Sequence, residues 1–486
     1  MRGTTETAMK RREFIKSGAF AAAISILPKP LLAASAPDKP NILLIMVDDL
    51  GYLDLSCQGA KDIKTPNIDQ LAASGIRFTA GYVTAPQCGP SRAGLMTGMS
   101  QSRFAYKSNE DQSGLPPKDY VQTLPEQLKS KGYATGMIGK WHIGSVHTEK
   151  KAFVSLPGNA PWERGFDYVL KMDGGGGHYF PYRQAGIEWM VTRKREPRLQ
   201  LKADADSAPR YLDDLPGDTY LTDCFSDYGV KFVTRHKDQP WFLFLSYNAP
   251  HTPCIAKADK LEKFAHIKNK QRRILAAMMD SVDEGVAQVL KALKDTGQEK
   301  NTIVWFLSDN GGPTAKNGSR NDPFSGLKGD MHEGGIRVPF MVSWPGTIDA
   351  GKVAGKPVIS LDILPTSLAA AGKTSLPAVH EGKNLLPWMK DKADYPDRQM
   401  AWSWRNVSAI RVGALKETRN SREVKSVDGK TVPKHVFSNL DENPKELEEK
   451  ALKDPEQKQM LSSCLNNWLL QIEADQKKVA PLLRRP

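Results

Sequence analysis

Three apolar runs in this chain end abruptly in residues that can do chemistry. Residues 41–47 (Asn-Ile-Leu-Leu-Ile-Met-Val) run into Asp48-Asp49, residues 241–247 into Asn248-Ala249-Pro250-His251, and residues 302–307 into Ser308-Asp309-Asn310-Gly311-Gly312. The oxygens of Asp48, Asp49, Asp309 and Asn310 suit a hard divalent cation, Ca²⁺ or Mg²⁺, better than zinc. One Asp-Asp pair after a strand more often makes a turn or a helix cap; the second acidic run end makes the pair a metal candidate. Cys88 opens another kind of site. Pro90 suits the first turn of a helix, which places Cys88 near a positive helix N-terminus, and Arg92, four residues on, shares its face. A nucleophile between a helix N-terminus and a guanidinium is arranged to meet an oxyanion such as sulfate or phosphate. A lone cysteine is otherwise a buried structural residue.

These groups need elements to carry them. Short apolar runs without polar alternation read as strands buried on both faces, as in a parallel sheet covered by helices. Segments of helical period lie between them, at 66–74, 124–131 and 272–294. Strands alternating with helices predict an α/β fold, in which ligands bind beyond the carboxyl ends of the strands. All three runs put their polar residues at that end, so they nominate one crevice. Beyond residue 395 the texture changes to short strands at 400–404, 407–413 and 432–438, then a charged helix over 455–477. The expected organisation is a leader over 1–36, a catalytic domain over 37–395 and a smaller α+β domain over 396–486.

With 25% charged and 40% hydrophobic residues, the 486-residue chain is neither disordered nor fibrous. Its five cysteines are scattered and form no CxxC pair, which excludes a disulfide scaffold and gives no zinc signal. Lys and Arg outnumber Asp and Glu by 68 to 55. That excess favours an anionic partner: nucleic acid, an anionic membrane surface, or a sulfated or phosphorylated substrate. The basic residues are dispersed and no recognition motif is present, so a nucleic-acid role is not expected. The N-terminus carries Lys10-Arg11-Arg12-Glu13-Phe14-Ile15-Lys16, then an apolar stretch over 19–27 and Ala34-Ser35-Ala36. The apolar stretch is about half the ~20 residues needed to cross a bilayer, so it reads as a signal segment before a small-residue cleavage site. Its paired arginines resemble a twin-arginine signal, which implies the twin-arginine export machinery as a partner and a periplasmic or otherwise exported bacterial protein. No other stretch reaches transmembrane length, so no stable membrane span is expected.

Cys88-Gly89-Pro90-Ser91-Arg92 resembles the Cys-x-Pro-Ser-Arg signature of the type I sulfatases, in the alkaline phosphatase superfamily. Gly132-Tyr133-Ala134-Thr135-Gly136-Met137-Ile138-Gly139-Lys140-Trp141-His142-Ile143-Gly144 is similar to the family's second signature. Asp48-Asp49, Ala249-Pro250-His251-Thr252-Pro253, Ser308-Asp309-Asn310-Gly311-Gly312, Leu327-Lys328-Gly329 and Glu333-Gly334-Gly335-Ile336-Arg337-Val338-Pro339 each resemble family blocks, in the family order. A weaker likeness lies at Asn439-Leu440-Asp441-Glu442-Asn443-Pro444.

The resemblance implies an alkaline phosphatase-like fold, a large mixed, mostly parallel sheet sandwiched by helices. It also implies hydrolysis of a sulfated carbohydrate by a cysteine oxidised to formylglycine, and hence a formylglycine-generating maturation enzyme. Hydrated formylglycine has two hydroxyls, one to attack sulfur and one to expel sulfate, which a thiol lacks. By the same resemblance, Asp48, Asp49, Asp309 and Asn310 hold a cation, Ca²⁺ before Mg²⁺, which also contacts position 88. Arg92 and Lys140 stabilise the charged oxygens, His142 takes the proton that drives elimination, and His251 with Lys328 binds sulfate and protonates the leaving oxygen. Lys140 and His142 are two apart, so an extended segment would point both the same way. His178, after four glycines, resembles a substrate-side loop, although a flexible loop reads equally well there. His332 stands where the family often has an aromatic residue, which leaves its role open. Two other readings remain: a phosphonate or phosphodiester hydrolase on the same scaffold, and a noncatalytic polysaccharide binder if Cys88 is unmodified.

Overall fold

The computed structural model describes residues 39–109, 114–147, 153–172, 179–180, 199–208, 210–212, 216, 218–373, 375–395, 398–426 and 428–483. The leader over 1–36 and His178 lie outside them.

The central strand Asn41–Val47 is buried at every residue, and its alternating side chains feed two different cores. Ile42, Leu44 and Met46 join one apolar cluster, while Leu43, Ile45 and Val47 join another on the opposite face. Strand Trp241–Ser246 divides in the same way, with Phe242 and Phe244 on one face and Trp241, Leu243 and Leu245 on the other. This double coverage is why these runs lack polar alternation. One face is covered by helices Cys88–Thr97, Leu124–Lys129 and Ile363–Ala370, the other by Pro66–Ala73, Leu221–Arg235 and the long helix Lys270–Asp295.

The large sheet has ten strands among the described residues. In spatial order they begin at 352–354, 75–78, 340–343, 302–308 and 41–47, then continue through 241–246, 134–140, 168–172, 199–202 and 210–212. The pairings from 302–308 through 168–172 are parallel, and the strands flanking them are antiparallel. The mixed, mostly parallel sheet between helices is therefore as expected. Register pairs Val47 with Ser308, Met46 with Ser246, and Ser246 with Gly139. Four strand ends, and the polar residues that follow them, thus open at one edge.

The C-terminal part is a four-stranded antiparallel sheet, Gln399–Trp404, Val407–Val412, Leu415–Arg419 and His435–Asn439, backed by helix Pro455–Leu483. Its inner face sends Met400, Trp402, Val407 and Ala409 into the core of the large domain, and Ile410 packs with Leu461, Leu465, Trp468 and Ile472 of the helix. One detail differs from the sequence reading. The strand expected over 432–438 is split into Thr431–Val432 and His435–Asn439, because Pro433 has no N–H to give a ladder. Leu415–Arg419, on which the sequence reading is silent, is an inner strand of the four-stranded sheet with buried Lys416, Glu417 and Thr418.

Gly139 sits in strand 134–140 at φ +103°, where a Cβ would stand 1.9 Å from the Ser246 carbonyl oxygen. Gly139→Ala should destabilise the protein by at least about 2 kcal/mol through backbone strain and force this strand from its neighbour, displacing Lys140. Urea unfolding and turnover measured on the same preparation check this; a variant with wild-type stability would show that the sheet tolerates the displacement.

Candidate active site

Helix Cys88–Thr97 is buried along its whole length, and Cys88 is its first residue, following an extended Gln87. Gly89 has no side chain because a Cβ would press within 2.6 Å of Asn109 Oδ1 and 2.9 Å of the His142 carbonyl. One turn on, the fully buried Arg92 donates from Nε to Asp309 Oδ2 (2.8 Å) and from Nη1 to the Lys140 carbonyl (2.8 Å) and Ser246 Oγ (2.6 Å). One guanidinium therefore joins the nucleophile helix to three strand ends.

Around Cys88 the expected crevice is assembled. Its Sγ lies 3.4 Å from Asp48 Oδ1 and 3.9 Å from Asp49 Oδ1. Lys328 Nζ stands 3.3 Å from the sulfur and donates to both oxygens of Asp49, at 2.6 and 2.9 Å. Lys140 pairs with Asp48 Oδ2, with both side chains fully buried. His251 Nε2 is 3.5 Å from Asp49 Oδ2, and its Nδ1 lies 2.5 Å from the Thr252 carbonyl. Asp48, Asp49, Cys88 and His251 offer ligand atoms all within 4.8 Å of one another. Asp309 reaches this group through the Asp49 N–H (3.2 Å), and Asn310 through Asp49 Oδ1 (2.7 Å). Lys328 and His251 are the partly exposed members, at 19% and 18%, and so mark the mouth.

Burial and neighbouring charge set the protonation of each group. Burial, reinforced by Asp309, pushes Asp48 up to about 8 against the pull of Lys140. Burial raises Asp49 as well, yet Lys328 and His251 hold it below the usual carboxylate range. Asp309 is likewise held low, by Arg92 and Lys140 against its burial. Burial and the carboxylate of Asp309 push the Cys88 thiol far up, so an unmodified cysteine here is a poor nucleophile. His251 is pushed down to about 3 by burial, against the pull of Asp49 and with Lys140 and Lys328 adding to the shift. His142 falls well below its ordinary value through burial and the nearby Lys140 and Arg92.

This arrangement fits a hard divalent cation. Three buried carboxylates crowd one spot, one of them driven toward protonation, and Asn310 Oδ1 is buried without a partner among the described residues. A group of three carboxylates and an amide oxygen, all buried, is the kind of oxygen donor set such an ion takes.

Every core residue nominated from the sequence lies in this crevice or lines it: Asp48, Asp49, Cys88, Arg92, Lys140, His142, His251, Asp309, Asn310 and Lys328. His142 arrives there by another backbone path. The strand ends at Lys140, and His142 adopts left-handed φ +55° rather than continuing an extended segment, with its Nδ1 buried and unpartnered among the described residues. His332 belongs elsewhere: it is buried against Asn420 and the Pro433 carbonyl, in the seam with the C-terminal sheet. Three contributors escaped the sequence reading. Ser246 is a partner of Arg92. Asn317 donates to the carbonyls of Asp49 (3.1 Å) and Pro250 (3.4 Å), bracing Asp49 in its left-handed φ of 65°. Asn248 has both amide atoms buried without partners among the described residues. Its place at the strand end was a usable signal; Asn317, in an ordinary Asn-Gly loop, offered none.

An acidic, oxygen-lined pocket at the carboxyl edge of a doubly covered parallel sheet, with a cysteine at a helix start and cations facing it, defines a hydrolase for oxyanion esters. The sulfatase family profile matches residues 40–373, and the profile of the N-sulphoglucosamine sulphohydrolase C-terminal region matches residues 327–475. The N-acetylgalactosamine-6-sulfatase of Mus musculus is 33% identical over 409 residues, covering 79% of this chain and 73% of that protein. The uncharacterized sulfatase YdeN of Escherichia coli (strain K12) is 32% identical over 418 residues, covering 76% of this chain and 69% of that protein. Among solved structures, Ps i-CgsB in complex with k-i-k-neocarrahexaose is 33% identical with a TM-score of 0.72, covering 90% of this chain and 92% of that one. The phosphonate monoester hydrolase SpPMH from Silicibacter pomeroyi, at 18% identity and a TM-score of 0.62, shares the fold. The chain belongs to the sulfatase family, in its formylglycine-dependent (type I) class. It is a sulfuric ester hydrolase whose active-site cluster includes Asp48, Asp49, Cys88 and His251.

Arg92→Met should cost about 3–5 kcal/mol in metal-free protein, because it leaves Asp309 buried without its counter-charge. The double variant Arg92→Met/Asp309→Leu should recover much of that loss. Urea unfolding of wild type and both variants reads the difference, and an equal loss in both would mean that packing around Arg92, not charge, holds the strand ends.

Proposed function

We propose that the protein is an exported sulfatase that removes sulfate from a sulfated carbohydrate, with Cys88 converted to formylglycine and Ca²⁺ bound by Asp48, Asp49, Asp309 and Asn310. The observation that carries this reading is the setting of Cys88: first residue of a buried helix, 3.4 Å from an acidic ligand set and 3.3 Å from a lysine. As a hydrated formylglycine, position 88 supplies one hydroxyl to attack sulfur and a second whose collapse releases sulfate. The cation supplies charge that draws sulfate oxygens into the pocket.

The chain's own residues do the rest. Arg92 keeps Asp309 in place through a buried pair and holds the Lys140 carbonyl, so that Lys140 neutralises Asp48. His142, neutral and with its Nδ1 unpartnered among the described residues, accepts a proton from position 88. Lys328 and His251, at the mouth, meet the sulfate and deliver a proton to the departing sugar oxygen; the arriving negative charge favours protonated His251. A carbohydrate substrate is supported by the names of the relatives, an N-acetylgalactosamine-6-sulfatase and a protein solved with neocarrahexaose, and by the basic balance of the chain. Export is supported by Arg11-Arg12 and the apolar stretch that follows, with maturation enzyme and twin-arginine machinery as partners. No described helix is long and apolar enough to cross a membrane.

The tryptic peptide containing Cys88 should carry a side chain in which one oxygen replaces a sulfur and two hydrogens, and Cys88→Ala should abolish turnover of a sulfate ester while retaining the fold. Mass spectrometry and a sulfate-release assay, with a phosphate diester as comparison, test this. An unmodified thiol in fully active protein would sink the mechanism, and faster turnover of the diester would assign the phosphonate-type activity.

His251→Ala should lose roughly 10²–10⁴-fold on a carbohydrate sulfate, whose alkoxide leaves poorly, and at least about tenfold less on an aryl sulfate, whose phenolate needs little protonation. Parallel kcat/KM measurements on the two substrates decide it. Equal losses would assign His251 to sulfate binding alone and leave Lys328 as the acid.

A further inference from the structure

Lys328 is carried by a loop that is held from two sides, by its own domain and by the C-terminal sheet. Gly326 and Gly329, at φ +85° and +96°, flank it, and toward the active site the backbone is tied by Gly329 N–H to the Pro86 carbonyl (2.9 Å) and by a long 3.4 Å contact from Lys328 N–H to the Gly312 carbonyl. From the other side the segment is gripped by the C-terminal sheet. Lys416 Nζ donates to the Met331 carbonyl (2.9 Å) and to Glu333 Oε1 (2.8 Å), and lies 3.1 Å from Glu446 Oε1. Glu446 Oε2 in turn accepts the Glu333 N–H (2.6 Å), Thr418 Oγ1 donates to Glu446 Oε1 (2.6 Å), and Asn420 Oδ1 accepts the Met331 N–H (2.7 Å). Glu333, Lys416 and Glu446 are all completely buried.

A buried charge cluster of this kind is a poor source of stability, because desolvation offsets most of the attraction and apolar replacements often do as well. What it does supply is direction: every carboxylate oxygen is met by at least one donor, and the Lys416 ammonium faces three acceptors. Lys416 and Thr418 are two apart on strand Leu415–Arg419 and so face the same way, toward the loop. Glu333 is further anchored by Tyr82 O–H (2.6 Å) and Arg337 Nη1 (3.0 Å). Burial would raise its carboxyl, but Lys416, Arg337 and Arg411 hold it at about 2, so it stays ionised across the working range.

We propose that the Glu333–Lys416–Glu446 cluster is a positioning latch by which the C-terminal sheet sets the loop 328–333 and thereby places the Lys328 ammonium at position 88 and Asp49. The inference rests on the reading above, in which Lys328 meets the substrate sulfate. None of the three residues touches substrate; each acts through the backbone of the loop.

The test uses the full chain with Glu446→Gln, which keeps shape and leaves the Glu333–Lys416 pair, and Lys416→Met as a second variant. The readouts are inhibition of aryl sulfate turnover by inorganic sulfate, kcat, and backbone amide exchange over 327–333. Each folded variant should weaken sulfate inhibition and lower kcat by roughly tenfold or more, since small misplacements of a positioned group are costly. Exchange should quicken over 327–333 while the central strands keep their protection. In the Lys328→Ala background, Glu446→Gln should add almost nothing, because both changes remove the same contact. Arg398→Met, which breaks the buried pair with Asp362 elsewhere in the fold, should leave sulfate inhibition unchanged. Unchanged exchange over 327–333, additive losses with Lys328→Ala, or the same loss in Arg398→Met would overturn the latch. Wild-type sulfate inhibition in Lys328→Ala itself would instead overturn the role given to Lys328, and with it the latch's catalytic meaning.

Discussion

Three carboxylates buried in one crevice repel one another, and the rest of the molecule is arranged around making that tolerable. Asp48, Asp49 and Asp309 each have a dedicated cation: Lys140, Lys328 and Arg92. The compensation is incomplete, since Asp48 remains pushed up toward protonation by burial and by Asp309. That residual strain is useful in a hydrolase of anionic esters. A pocket in which one carboxylate is still unfavourably buried suits a divalent cation, which under the proposed function would convert an anion-repelling group of carboxylates into a sulfate-binding one.

The sheet is what lets these charges be buried at all. Because its central strands are covered on both faces, residues at their carboxyl ends leave one apolar environment and enter another enclosed one, away from bulk water. Register then decides which groups meet. Val47 beside Ser308 and Ser246 beside Gly139 bring Asp48, Asp309, Ser246 and Lys140 to one level, and a single guanidinium from the nucleophile helix bonds to three of the four. The helix supplies that guanidinium and, with all ten of its residues buried, holds position 88 rigidly against the strand ends.

The C-terminal sheet is joined to this machinery rather than appended to it. Trp402 packs on Tyr82 and donates to the Val83 carbonyl (2.7 Å), a few residues before Cys88, and Trp404 donates to Gln87 (3.3 Å). Through Lys416, Asn420 and Glu446 the same sheet grips the loop that bears Lys328. The division of the chain near residue 395, which the change in texture suggests, is therefore a change of architecture, with a core shared across it.

Much of the site was legible from local chemistry. The apolar runs had no polar alternation because both faces of each strand are buried, and the polar residues that ended them had to emerge at one edge of a parallel sheet. Pro90 and the Cys88–Arg92 spacing likewise encode a helix start by local sterics alone. What the chain order does not carry is anything set by long-range packing. Lys416 and Glu417 look like solvent-facing residues until partners far away in sequence bury them, and the strands on either side of Pro433 join different sheets. His142 reaches the crevice through a left-handed turn instead of an extended segment. Asn317 braces Asp49 across most of the domain. Side-chain type and spacing specified which chemistry was present. Which cation answers which carboxylate, and which loop is held where, followed only from the tertiary structure, because burial and electrostatic pairing depend on distances between residues that the sequence keeps far apart.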